Sequence, residues 1–191
     1  HEGTYLDKNI PGVNSPVFTS TAIGYRDVPE PIYPRYFNIP NQDAVQKKLA
    51  SLENGEKALV FSSGMAAEST VFYTFLQKGD HVVLQGELYG GTVHFANREF
   101  DKFGIEYTFA EDSTVGAFRE CIRPNTRMLY IETPTNPLLS IISLQDIAEL
   151  VRDKNLLTVI DNTFASPVNQ NPIDFGIDIV LHSGTKYLGG H

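Results

Sequence analysis

Four polar stretches, each following an apolar run, hold the residues whose types could do chemistry: Ser62 to Met65, Glu132-Thr133, Asp161 to Thr163, and His182 to Lys186. The first passes through a small-residue turn into a helix. Its opening turn leaves N–H groups pointing outward, and the helix dipole adds positive potential. Gly64 allows a close approach, so the N–H groups of Gly64 and Met65 suit a phosphate. A simple Ser-capped helix is the competing reading. Ser183, Gly184, Thr185 and Lys186 add two hydroxyls and an amine, without the G-x-x-x-x-G-K-[ST] frame of a nucleotide P-loop. A lysine partly desolvated beside an anion site could have a lowered pKa and attack an aldehyde, although lone lysines near turns are mostly solvated. Asp161 follows the run LLTVI at the buried end of a strand. A carboxylate there needs a cation or hydrogen bonds, and a protonated pyridine nitrogen is one such cation. A structural carboxylate capping a turn is the alternative. Tyr89, beside Gly90 and Gly91 in LYGGT, has room to stack on a flat cofactor, or to serve as an ordinary core aromatic.

These stretches must be positioned by the elements before them. Short β-rich runs alternate with helical ones after Asn41. Strands are predicted at Ala58–Phe61, His81–Leu84, Ile105–Phe109, Arg127–Ile131, Leu156–Ile160 and Ile177–Leu181, and helices at 64–77, 91–102 and 143–153. An earlier helical face carries Val45, Lys48, Leu49 and Leu52, with the Lys48 stem able to lie along it and Gly55 ending the run. Ser143 can cap the third predicted helix with Asp146 at its third position. Ile142 and Ile147 form a staple, and Leu144, Ile147, Ala148 and Val151 give the buried face. Continuously apolar strands indicate a mostly parallel sheet covered by helices, an α/β layered domain. Ligands of such sheets bind beyond the carboxyl ends of the strands, where the four polar stretches should converge. Residues 1–40, with five prolines between Pro11 and Pro34, read instead as an extended arm lying across its own domain or a neighbouring subunit.

Composition narrows the function classes. The 191 residues suffice for one full core, and 41% apolar with 20% charged is ordinary for a folded protein. No run approaches the roughly 20 apolar residues of a membrane span, and the start lacks the pattern of a secretory signal. A net charge of -8 with no Lys/Arg cluster disfavours nucleic acid. The single cysteine, Cys121, excludes an intrachain disulfide and a cysteine-rich metal site, and favours the cytoplasm. The histidines His81, His94, His182 and His191 show no zinc-hydrolase spacing. No G-x-G-x-x-G follows the first strand, against a nicotinamide dehydrogenase. The chain stops in HSGTKYLGGH, inside a glycine-rich turn, and so reads as the front of a longer polypeptide.

The chain resembles the cysteine/methionine-metabolism family of pyridoxal-phosphate enzymes: cystathionine lyases, methionine γ-lyase, cystathionine γ-synthase and sulfhydrylases. The matching stretches are YPR at 33–35, SSGMAA at 62–67, ELYGGT at 87–92, IETPTNP at 131–137, DNTFASP at 161–167 and HSGTKYLGGH at 182–191. They occur in order from about residue 10 to the end. The resemblance implies the large domain of the aspartate-aminotransferase-like fold (fold type I) over 41–191, truncated at its C-terminus, with a small C-terminal domain absent. It implies that Lys186 binds pyridoxal 5'-phosphate as an imine, Asp161 pairs with the pyridine nitrogen, and Tyr89 stacks on the ring and relays a proton. Gly64, Met65, Ser183 and Thr185 would hold the phosphate, with Asn136 and Thr163 near the ring and Glu132 a support. Tyr33 and Arg35 would reach the phosphate of an adjacent subunit's cofactor, in a homotetramer built from dimers with shared sites. Where the family commonly has N-P-T after this pair, the chain reads Asn38-Ile39-Pro40-Asn41, which leaves the local helix start open.

The implied activity is β- or γ-elimination on cystathionine or a related sulfur amino acid, giving a thiol, a 2-oxo acid and ammonia. The alternative is γ-replacement by a cystathionine γ-synthase or O-acylhomoserine sulfhydrylase. A non-catalytic binding protein of the same fold is the remote one. No arginine for the substrate carboxylate stands out, and the family supplies it from its C-terminal domain.

Overall fold

A computed structural model describes residues 2–10, 12–26 and 28–190, which group into two units, His1–Val60 and Phe61–His191. Pro11, in the proline-rich arm, and His191, at the end of the last motif, lie outside the described residues. In the first unit, Pro40 occupies the first turn of helix α1 (Pro40–Leu52), where its missing N–H costs nothing. That settles the helix start left open by the shifted proline. The first unit includes both the arm and α1, which are tied together. The Asn41 side chain exchanges hydrogen bonds with both backbone groups of Phe18, and Gln46 donates to the Phe37 carbonyl at 3.0 Å. The Val45–Leu52 face is a correction: Val45 and Leu52 are half-exposed and Ala44 is buried instead, since apolar spacing does not say which face finds a neighbour. Asn54, not Gly55, takes the left-handed conformation after the helix, while the Gly55 N–H bonds the Ala50 carbonyl.

The second unit is a five-stranded parallel sheet, ordered β2-β1-β3-β4-β5. The strands are β1 (His81–Leu84), β2 (Glu106–Phe109), β3 (Thr126–Glu132), β4 (Leu157–Asp161) and β5 (Ile179–Leu181). Predicted strand Ala58–Phe61 is absent from it. An apolar run becomes a strand only through a ladder, and the order of the sheet does not include this one. Four helices pack on the strands: α2 (Gly64–Phe75), α3 (Gly90–Phe103), α4 (Val115–Cys121) and α5 (Leu144–Val151). Ser63, Thr114 and Ser143 cap α2, α4 and α5, each cap contributing about 1 kcal/mol. Helix α4, too short for a clear period, was not predicted.

Alternation along the strands divides the core. Val83, Leu129, Ile131 and Ile160 face Phe118 of α4 and Ile147 and Leu150 of α5. Val82, Leu84, Met128, Tyr130 and Val159 face Phe72 of α2 and Ala96 and Phe100 of α3. Ile142 and Ile147 share the first cluster, as the staple requires, with Leu150 buried where Ala148 was expected. Gly104 ends α3 at φ 67°, a conformation that disfavours side chains. Among the described residues, no helix is long and apolar enough to cross a membrane.

His81 opens β1 fully buried between two hydroxyls, with Nδ1 2.8 Å from Thr126 Oγ1 and Nε2 2.9 Å from Thr108 Oγ1. Burial, then the Arg123 guanidinium, hold its pKa below the ordinary 6.5, with Glu106 opposing. The unfolded chain therefore takes up a proton that the folded chain resists. This contribution to stability is complete above about pH 6.5 and is lost as the pH falls below it. Urea denaturation from about pH 7.5 to about pH 5 should show the stability gap between wild type and His81→Gln narrowing on acidification; a constant gap contradicts a buried neutral imidazole.

Candidate active site

Because every strand is parallel, the carboxyl ends of all five share one edge. The chain runs from β1 out to β2 and returns to the other side of β1 as β3. Helix α3 covers one face and α4 the other. That reversal is where a crevice opens in such sheets.

The start of α2 is held close to the turn after β5. Ser63 Oγ accepts from the Ala66 N–H at 3.0 Å and the Ser63 carbonyl from Ala67 at 3.1 Å. The Gly64 and Met65 N–H groups make no hydrogen bond among the described residues. A Cβ on Gly64 would lie 3.2 Å from Ser183 Cβ and 3.3 Å from its Cα, so a larger residue would force the two turns apart. The Ser183 N–H donates to Thr163 Oγ1 at 2.8 Å, and the Thr163 N–H to Asp161 Oδ1 at 2.9 Å. A packed and hydrogen-bonded line thus joins Gly64, Ser183, Thr163 and Asp161. The Lys186 N–H returns to the Ser183 carbonyl, and Gly189, whose Cβ would collide with the Gly184 carbonyl, closes the turn.

Tyr89 immediately precedes α3. Its N–H donates to Glu132 Oε2 and the Asn136 N–H to Glu132 Oε1, both at 2.7 Å. One buried carboxylate therefore holds the loops after β1 and β3, the supporting role expected of Glu132. Gly91 makes room for the Tyr89 ring, since a Cβ there would strike it and lie 3.2 Å from Met65 Sδ.

Lys186 and Thr185 are exposed, and the Lys186 amine makes no hydrogen bond or ion pair among the described residues. The chain by itself thus leaves Lys186 solvated. Tyr33 and Arg35 belong to the first unit. There Pro34–Tyr36 is a single 3-10 turn, with the Tyr33 N–H bonded to Asn38 Oδ1 and Asn38 Nδ2 to the Pro31 carbonyl. Both side chains are exposed.

Glu132 and Asp161 are register partners on β3 and β4. Burial pushes Glu132 up to about 7, opposed by the Tyr89 and Asn136 N–H groups, with the Asp161 charge pushing further up. Burial also raises Asp161, against the Thr163 hydroxyl and N–H and the charge of His182. No lysine or arginine pairs with either carboxylate among the described residues. A protonated ring nitrogen suits Asp161, and the unbonded N–H groups beside Ser183 suit a phosphate. Sequence reasoning missed three buried residues behind the site, Glu68, Thr92 and Tyr130. Its one usable signal was the lone acid inside GMAAESTVF.

The family described as Cys/Met metabolism PLP-dependent enzyme matches residues 1–191. The chain is 40% identical over 192 residues to cystathionine gamma-synthase/O-acetylhomoserine (thiol)-lyase of Bacillus subtilis, covering 99% of this chain and 51% of that protein. It is 47% identical over 152 residues to the cystathionine gamma-lyase of the same organism, covering 80% and 40%. The crystal structure of metB from Corynebacterium glutamicum superposes with a TM-score of 0.94 at 38% identity, over 100% of this chain and 50% of that one. The chain thus spans about half the length of these relatives. With the sheet of a fold type I enzyme and motifs matched from end to end, it belongs to the Cys/Met-metabolism family of pyridoxal-phosphate-dependent enzymes.

Proposed function

We propose that this chain is the cofactor-binding portion of a carbon–sulfur lyase acting on cystathionine or a related sulfur amino acid. The observation that carries this reading is the line from the free N–H groups of α2 through Ser183 and Thr163 to Asp161. It supports reading the unbonded N–H groups as a phosphate site and Asp161 as the partner of a ring nitrogen, joined through one edge of the sheet. When bound, pyridoxal phosphate supplies an electron sink for the bond broken at the substrate.

The chain's own residues do the rest. Gly64, Met65, Ser183 and Thr185 hold the phosphate, while Asp161 keeps the ring nitrogen protonated. Tyr89 lies against the ring, with Asn136 and Thr163 beside it. Lys186 would hold the cofactor aldehyde through its amine, and that amine would take the proton from the substrate Cα. A positioned amine contributes about 10²–10⁴-fold in such a transfer. Tyr89 hands a proton to the departing sulfur. Tyr33 and Arg35 reach the phosphate of an adjacent subunit's cofactor, Arg35 through a bidentate contact. The assembly is a cytoplasmic homotetramer built from two dimers with shared sites, with the substrate carboxylate held from a C-terminal domain. γ-Replacement is the second reading, favoured by the relative at 40% identity whose name joins a synthase and a thiol-lyase.

In full-length protein, Lys186→Ala should remove the near-visible absorption of lysine-bound cofactor and its trapping by borohydride; normal turnover in this variant would defeat the assignment. Gly64→Val should weaken cofactor binding about tenfold by separating α2 from Ser183, measured by cofactor titration; unchanged affinity would place the phosphate elsewhere. Given cystathionine, methionine and an activated homoserine in turn, the enzyme should release 2-oxobutyrate or pyruvate. With cysteine added to the activated homoserine, a condensed thioether as sole product, the acyl group leaving as its acid, would select the replacement reading.

A further inference from the structure

Behind the edge just described, one acid is buried where the proposed chemistry makes no use of it. Glu68 lies one turn into α2 and is 3% exposed, between Thr92 of α3 and Tyr130 of β3, both fully buried. Its Oε2 accepts from Thr92 Oγ1 at 3.0 Å and from the Tyr130 hydroxyl at 3.1 Å. Its Oε1 is buried with no hydrogen-bond partner. We propose that Glu68 is a positioning residue: its buried carboxyl clamps the starts of α2 and α3 to β3, and so sets where the Gly64–Met65 N–H groups and the Tyr89 ring stand. The inference rests on the cofactor reading above and adds to it a residue that touches neither cofactor nor substrate.

Three connections carry the clamp to the site. Glu68 is four residues from Gly64, on the same side of α2. The Thr92 N–H donates to the Tyr89 carbonyl at 3.0 Å, so fixing Thr92 fixes the turn that carries Tyr89. Met65 Sδ lies 3.2 Å from where a Cβ of Gly91 would stand, so the two helix starts are close. Packing alone would favour a hydrocarbon at this place, beside Phe72 and Tyr130. An acid with an unmatched oxygen is costly there, which gives the two hydroxyl bonds a specifying role.

The groups acting on Glu68 are Thr92 from α3, Tyr130 and Glu132 from β3, and Asp161 from β4, with no cation among them. Burial raises its pKa from 4.5 to about 7; the two hydroxyls pull it down and the two carboxylates push it up. The folded chain therefore holds a proton that the unfolded chain releases. Stability from this group is full below about pH 4.5 and falls as the pH rises through 7.

The test titrates pyridoxal phosphate into full-length apoprotein, read by fluorescence and absorbance, alongside thermal melts. Glu68→Leu and Thr92→Val, which break the clamp, should each weaken the cofactor, by about tenfold for the first, while the melts stay cooperative. Glu68→Gln reproduces the uncharged acid and keeps an acceptor. It should bind within about threefold of wild type and lose the Glu68 share of the fall in stability through neutral pH, the Glu132 share remaining. Wild-type affinity in both Glu68→Leu and Thr92→Val would overturn the clamp, as would equal losses in the Gln and Leu variants. A Glu68→Leu protein that does not fold leaves the decision to Thr92→Val. If wild type binds the cofactor but borohydride traps none of it, the Lys186 assignment fails while the clamp is still judged by affinity. If wild type binds none, both fall.

Discussion

Three carboxyl groups gather on one side of the sheet, and no lysine or arginine pairs with them among the described residues. Glu68 and Glu132 are buried and Asp161 is half-buried. An ionised group in that position is tolerated only through hydrogen bonds, so the surrounding chain is folded to supply them. Glu132 draws in the N–H groups of Tyr89 and Asn136, Asp161 that of Thr163, and Glu68 the hydroxyls of Thr92 and Tyr130. The loops leaving β1, β3 and β4 are thereby fixed by side chains from the strands and α2, not by their own sequence. Burial is the first cause of the raised pKa of each acid, and neighbouring carboxylates add to it at Glu68 and Glu132.

That arrangement needs a parallel sheet. Only when all strands point the same way do Glu132 and Asp161 end side by side in register, with the turn after β5 next in line. Buried on both faces, the strands carry continuous apolar runs, and the polar residues that stop those runs are necessarily at the edge. Gly64 then lets α2 approach the Ser183 turn closely. Small residues at these turns are conditions of contact between elements distant in sequence.

Much of this was legible beforehand. Strand β1 was placed residue for residue, and the other four strands to within two residues at either end, because β-branched runs bounded by turn residues are a strong local signal. The Ser143 cap and the Ile142–Ile147 pair followed from spacing alone. Several expectations did not hold. Ala58–Phe61 has strand composition and no place in the ladder order, Val45 and Leu52 lie on an exposed face of α1, and Leu150 is buried where Ala148 was expected. Each depended on what another segment does.

What the sequence determined by itself was the layered α/β class, the order of elements, and the set of residue types able to bind an anion, an aldehyde and a ring nitrogen. These are local or periodic properties, and a linear chain displays them. Tertiary structure alone decided that Gly64 abuts Ser183, that Glu132 bridges two loops 47 residues apart at Tyr89 and Asn136, and that the lone acid of α2 meets hydroxyls from α3 and β3. Such partners are separated by tens of residues and are chosen by register and helix packing, for which no single stretch of sequence carries a mark.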